Sequence, residues 1–324
     1  MASTREIRRR IKSIKNTAQI TKAMQLVAAS KMRRAQAQVL AGRPYNELMN
    51  ELLGSLSGKI DRSLHPLLAT KVEEKNRKIG IILIGPSRGL AGGLMSNLIR
   101  STVNFIEKNE LAAGKKIKTQ YKEAYELKEE IEVEGLVNEV ESTSFGVITV
   151  ERKARDFILK LGHKLIGDFQ KLNSPPTMFD TNPIAKIAME SFLDGTFTDV
   201  YLVYPHFVNT MTQKVVIKKI LPIEESSLRV KEESEDVIVS EYTFEPKPNE
   251  LLKALLPHFV EMEVYQAVLE AAASEHSARM VAMKSATDNA EEIIDDLTLT
   301  YNQVRQAAIT QELLEITSAA AALE

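Results

Sequence analysis

Past Pro257 the chain runs to its last residue, Glu324, without a single glycine or proline. No other feature constrains the fold as much. A breaker-free stretch of about 65 residues, if helical throughout, extends roughly 100 Å, longer than a small domain is wide. Steps of four and three from His276 meet Met280, Met283, Thr287, Ala290, Ile294, Leu297, Tyr301, Val304 and Ala308. That is the spacing of one helical face. Isolated helices are marginal in water, so a face of this length needs a partner along it.

The other end of the chain offers one. The same stepping from Ile7 gives Ile11, Ile14, Ala18, Thr21, Gln25, Ala28, Met32, Ala35 and Val39. Glycine and proline are absent until Gly42 and Pro44, and Ser3 and Thr4 supply an N-cap ahead of Glu6. Beyond Pro44, Leu48, Leu52 and Leu56 resume helical spacing, so either a kink or a full break is expected near the proline. Both seams mix small residues with larger aliphatic ones. The ends also carry opposite charge. Residues 1–45 hold eleven Lys or Arg against a single Glu, and residues 284–324 hold eight acids against two bases. Opposite charge favours pairing of the two ends and disfavours pairing of either with itself. Two unrelated long helices are the alternative.

The middle has another rhythm. Ile79–Ile84, Gly146–Val150 and Asp199–Tyr204 are short apolar runs that read as buried strands. Amphipathic helical segments are expected between them, over Leu94–Asn109, Arg152–Phe169 and Asn182–Gly195. Alternation of this kind implies a parallel sheet with right-handed crossovers. "TQKVVIKKILPI" and "SEYTFEP" add antiparallel strands around the acidic loop "EESSLRVKEESED". Lys115–Glu141, with five Lys and eight Glu, reads as a solvated insertion. The expected fold class is therefore α/β, with a parallel-sheet middle domain and long terminal helices that pair along their seams. Its divisions are an N-terminal coiled-coil helix over 1–57, a linker over 58–76, the α/β domain over 77–246 and a C-terminal coiled-coil helix over 247–324.

Composition narrows the chemistry. There is no cysteine, which excludes disulfides, thiolate metal sites and a cysteine nucleophile. The basic start lacks an apolar core of the secretory kind, and no run of 18 apolar residues occurs. "SRGLAGGLMSN", Ser87–Asn97, follows a strand and precedes a helix, as phosphate loops do. It has no Lys beside a hydroxyl residue, and Pro86 removes a backbone donor. A tight structural turn is the stronger reading, although Arg88 and the helix N-terminus would attract an anion. The five histidines (65, 163, 206, 258 and 276) show no metal-ligand spacing. Glu291/Glu292 and Asp295/Asp296 sit on a helix with no cleft for acid–base work. No catalytic, cofactor or metal site emerges. The basic N-terminal helix suits nucleic acid, an acidic lipid surface or an acidic protein surface.

The two ends carry a resemblance. "IKNTAQITKAMQLVAASKMRRAQ" (Ile14–Gln36) resembles the N-terminal helix of the gamma subunit of F-type ATP synthases, and Ser274–Leu323 resembles its C-terminal helix. "ITQELLEITSAA" (Ile309–Ala320) matches the family signature, with Ser318–Ala319 replacing the usual glycine-containing pair. The glycine segment, "YLVYPHFVNTMTQ" and the stretch from "EPKPNELL" to "SEHSARM" follow in family order. The charged insertion departs from the family norm. Without a cysteine pair, the thiol switch of photosynthetic plant versions cannot operate.

The resemblance implies an α/β protein with a Rossmann-like middle domain and a long antiparallel coiled coil formed by the N- and C-terminal helices. It would act as a non-catalytic rotor in the central stalk, coupling proton-driven rotation of the membrane c ring to ATP synthesis or hydrolysis. Its partners would be the alpha and beta subunits of the head, epsilon and the c-subunit ring, with no nucleic acid, no cofactor, and the membrane touched only through the ring. The implied location is peripheral, on the cytoplasmic face of the bacterial inner membrane. Lys22, Met24, Lys31, Arg33, Arg34, Arg305 and Gln306 are the residues expected to meet the alpha/beta hexamer. A coiled-coil nucleic-acid-binding or scaffold protein is the alternative.

Overall fold

The computed structural model describes residues 4–57, 65–68, 77–112, 144–223 and 248–321. In chain order these form α1 (Thr4–Ser57), β1 (Lys78–Ile84), α2 (Leu94–Ala112), β2 (Ser144–Val150), α3 (Arg152–Leu161), β3 (Lys164–Phe169), α4 (Met178–Leu193), β4 (Asp199–Phe207), β5 (Gln213–Leu221) and α5 (Pro248–Ala321). Contacts divide the chain into a sheet unit, Lys31–Ala278, and a helix-pair unit made of Met1–Ser30 with Arg279–Glu324. Both α1 and α5 contribute to each unit.

The sheet has the order β3-β2-β1-β4-β5. The first four strands are parallel and β5 returns antiparallel from β4. Both faces are covered, which explains why β1 is apolar almost without interruption. Ile82, Ile84, Ile148, Val150 and Leu202 point to one layer with α4 and the α5 segment from Leu252 to Ala271. Ile79, Ile81, Leu83, Val147 and Val203 point to the other, against Leu98, Val103 and Ile106 of α2 and Phe157 and Ile158 of α3. Met49 and Leu53 of α1 join the first layer. Between the central strands, Gly80 pairs with Gly146. Together they leave a slot for the Phe197 ring, which a Cβ on either glycine would meet at 2.6 Å.

One expected element is different. The helix expected over Arg152–Phe169 ends at Leu161. Gly162 takes φ 72°, and its N–H bonds back to the Leu159 carbonyl, a left-handed cap that stops the helix. Lys164–Phe169 then forms the edge strand β3 beside β2. At the Pro44 position the helix is continuous, so a full break does not occur. "SEYTFEP", the acidic loop, the charged insertion and most of the 58–76 linker lie outside the described residues.

Candidate functional site

In the helix-pair unit the two periodic faces meet. Ile7, Ala18 and Ala28 of α1 are buried, as are Met283, Thr287 and Ala290 of α5. The hydroxyls of Thr21 and Thr287 lie 2.7 Å apart. Arg8 donates to the Tyr301 hydroxyl and its guanidinium sits 5.4 Å from that ring's centroid, a cation–π contact. Small residues at Ala18, Ala28 and Ala290 let the backbones come close, as ridge-and-groove packing requires.

The seam ends abruptly. Val304 is half-buried, and every residue from Arg305 to Ser318 is exposed. That segment includes Ile309, Leu313, Leu314 and Ile316, which are 50%, 57%, 63% and 67% exposed. Ile20, Leu26 and Val27 on α1 are exposed as well. Apolar side chains left open along a helix mark a surface made for another molecule.

Within the helix-pair unit, the residues expected to meet a partner do not form one cluster. Lys22 is exposed and Met24 half-buried, near the level of the Thr21–Thr287 contact. Arg305 and Gln306 are exposed beyond Tyr301, about 27 Å farther along α5 at 1.5 Å per residue. Lys31, Arg33 and Arg34 are exposed and belong to the sheet unit.

The glycine turn has an occupant that the sequence did not announce. Ser87 donates its backbone N–H to Glu275 Oε2 at 2.8 Å and its hydroxyl to Oε1 at 2.7 Å. Glu275, on α5, is only 6% exposed. A carboxylate of the chain itself thus takes donors that a phosphate loop would aim at its ligand. Ala91 and Leu94 pack against Ala278 beside it. Gly85 has a packing role, because a Cβ there would meet Ala154 Cβ at 2.9 Å. No signal in "SEHSARM" distinguishes Glu275 from an ordinary solvated helix residue.

A second carboxyl lies close by. Glu151 follows β2 with φ 72°, rare for a residue with a side chain. Its N–H bonds to the Phe169 carbonyl at 2.7 Å, and its Oε1 accepts from the Leu172 N–H at 3.3 Å. Burial pushes its pKa up, and the nearby Glu275 charge adds to this. Two of the histidines have carboxylate partners, His206 with Glu270 and His258 with Glu261. Among the described residues no group of three or more His, Asp or Glu is placed to hold a metal ion. No helix among them is long and apolar enough to cross a membrane.

Fold and surface together define an α/β protein whose long terminal helices pair with each other and end in an exposed apolar tip. A family model described as ATP synthase matches residues 3–323. The ATP synthase gamma chain of Roseiflexus castenholzii is 44% identical over 324 residues, covering 100% of this chain and 99% of that one. That of Chloroflexus aurantiacus is 39% identical over 326 residues, again covering 100% and 99%. The chain belongs to the ATP synthase gamma-chain family. Its fold is similar to that of a chain in the Euglena gracilis mitochondrial ATP synthase rotor, with TM-score 0.55 and 16% identity over 94% of this chain and 98% of the other. A chain in the central stalk and c ring of the Tetrahymena thermophila mitochondrial ATP synthase is similar at TM-score 0.54 and 19% identity, covering 82% and 99%.

Proposed function

We propose that this chain is the central-stalk rotor subunit of an F-type ATP synthase, with no catalytic site of its own. It couples ion-driven rotation of the c ring to ATP synthesis and hydrolysis in the alpha/beta head, whose subunits hold the nucleotides. The observation that carries this reading is the helix pair, closed as far as Val304 and continued by an exposed helical tip bearing Ile309, Leu313, Leu314 and Ile316. Residue 8 pairs with 301 and residue 21 with 287, the opposed numbering of an antiparallel coiled coil.

In this reading residues 1–57 and 247–324 form the shaft, 58–76 a linker, and 77–246 the foot that meets epsilon and the c ring. Lys22, Met24, Lys31, Arg33, Arg34, Arg305 and Gln306 contact the head. An asymmetric shaft offers each chemically identical beta subunit a different contact energy, and unequal nucleotide affinities follow from that difference. The complex is peripheral, on the cytoplasmic face of the membrane. Affinity purification of the chain from membranes tests the assignment, with alpha and beta subunits expected to come with it. Their absence overturns it. In the assembled complex, Arg305→Ala is expected to change ATP hydrolysis, and unaltered turnover and coupling would remove Arg305 from the contact set.

A further inference from the structure

In open parallel sheets, ligands sit outside the C-terminal ends of the strands, where the strand order reverses. Here that point lies between β1 and β4. The chain fills it with its own helix α5. Over barely one turn, three polar side chains of α5 grip three separate pieces of the sheet unit. Ser274 donates to the Pro205 carbonyl at the end of β4, at 2.8 Å. The two carboxylate oxygens of Glu275 hold Ser87 in the β1–α2 turn. Ser277 donates to the Thr210 carbonyl in the β4–β5 hairpin, at 2.8 Å. All three α5 residues are buried.

Apolar packing resists separation of a helix from a sheet but opposes rolling and sliding weakly, because it has no direction. Hydrogen bonds are directional, and those to a charged group are the strong ones. A buried carboxylate that lost Ser87 would keep its desolvation penalty, so slipping by a fraction of a turn is unfavourable. We propose that the Glu275–Ser87 fork, flanked by Ser274 and Ser277, is the key that locks α5 to the sheet unit against rotation about its axis. Torque then enters or leaves the long helix at this site, and Ser87 and Glu275 are positioning residues for coupling.

The proposal rests on the rotor reading, and its test separates the two. Wild-type complex is first purified from membranes; a chain that arrives without alpha and beta subunits refutes the rotor reading itself. Ser87→Ala, Ser87→Thr and Glu275→Gln are then compared in assembled complex in inverted vesicles, with complex content fixed by immunoblot. The readout is ATP-driven ion pumping per ATP hydrolysed, counting only the hydrolysis that an inhibitor of the c ring blocks, so that heads detached from the ring do not enter the ratio. Ser87→Ala and Glu275→Gln are each expected to lower this ratio severalfold. Ser87→Thr is expected to restore it, and Ser87→Ala should add nothing in the Glu275→Gln background. Wild-type ratios in both single variants overturn the key, as does full additivity in the double variant.

Discussion

Glu151 combines a positive-φ backbone, a half-buried carboxyl and a like-charged neighbour in Glu275. Its pKa stands above the ordinary 4.5, first through burial and then through Glu275. The folded chain therefore holds this proton after the unfolded chain has released it. Stability is unaffected below 4.5 and falls as pH rises through the interval above it. Glu151→Gln removes the titration while keeping an acceptor for the Leu172 N–H. The variant's thermal midpoint should match the wild type near pH 4 and exceed it near pH 8. A constant offset at both would show that the charge is not the cause. The Phe197 slot makes a second prediction at this scale. Gly146→Ala brings a Cβ to 2.6 Å from a buried ring, overpacking that costs about 1–3 kcal/mol in denaturant unfolding. Phe197→Leu in the same chain should lessen that penalty, and strict additivity would argue against the clash.

At the scale of elements, legibility followed periodicity. Each seam position from Ile7 to Val39 is buried or half-buried, and so is each from His276 to Val304. A 3.5-residue repeat over many turns leaves little else for the chain to do. The central strands were legible because they are apolar on both faces. The edge strand β3 was not. "KLIGDF" is half-covered and follows a helix closely, and only the left-handed Gly162 marks the change of period. The Glu275–Ser87 fork joins positions 188 residues apart, and no local pattern encodes such a pairing. Ala308 continues the period but is exposed, so the repeat outlasts its partner helix. The seam also predicts its own fragility. Ala28 is buried where small side chains let the helices approach, so Ala28→Leu should destabilise the chain by about 1–3 kcal/mol. Lys22→Ala, exposed on the same helix, should leave the unfolding free energy within about 0.5 kcal/mol of wild type. Equal effects of the two, followed by circular dichroism on heating, would dissolve the distinction between seam and surface.

The whole molecule presents a partner with two kinds of surface, a basic first helix and an apolar tip. Residues 1–45 carry eleven bases and one acid, and the tip exposes Leu313 and Ile316. Long-range charge acts before contact and so sets the rate of encounter, whereas desolvated apolar contact sets the rate of escape. Binding of the purified chain to an alpha/beta head, followed by surface-immobilised kinetics, should separate them. The association rate should fall about tenfold or more as salt rises, and Arg33→Ala with Arg34→Ala should lower it at low salt only. Leu313→Ser with Ile316→Ser should leave association nearly unchanged and speed dissociation, since burying such side chains contributes about 1.5–3 kcal/mol each. Association insensitive to salt would mean that the basic face meets no acidic surface on the head. Dissociation unmoved by the serine pair would mean that the exposed tip is not gripped, and the bearing would have to be sought on the seam-flanking Ile20, Leu26 and Val27 instead.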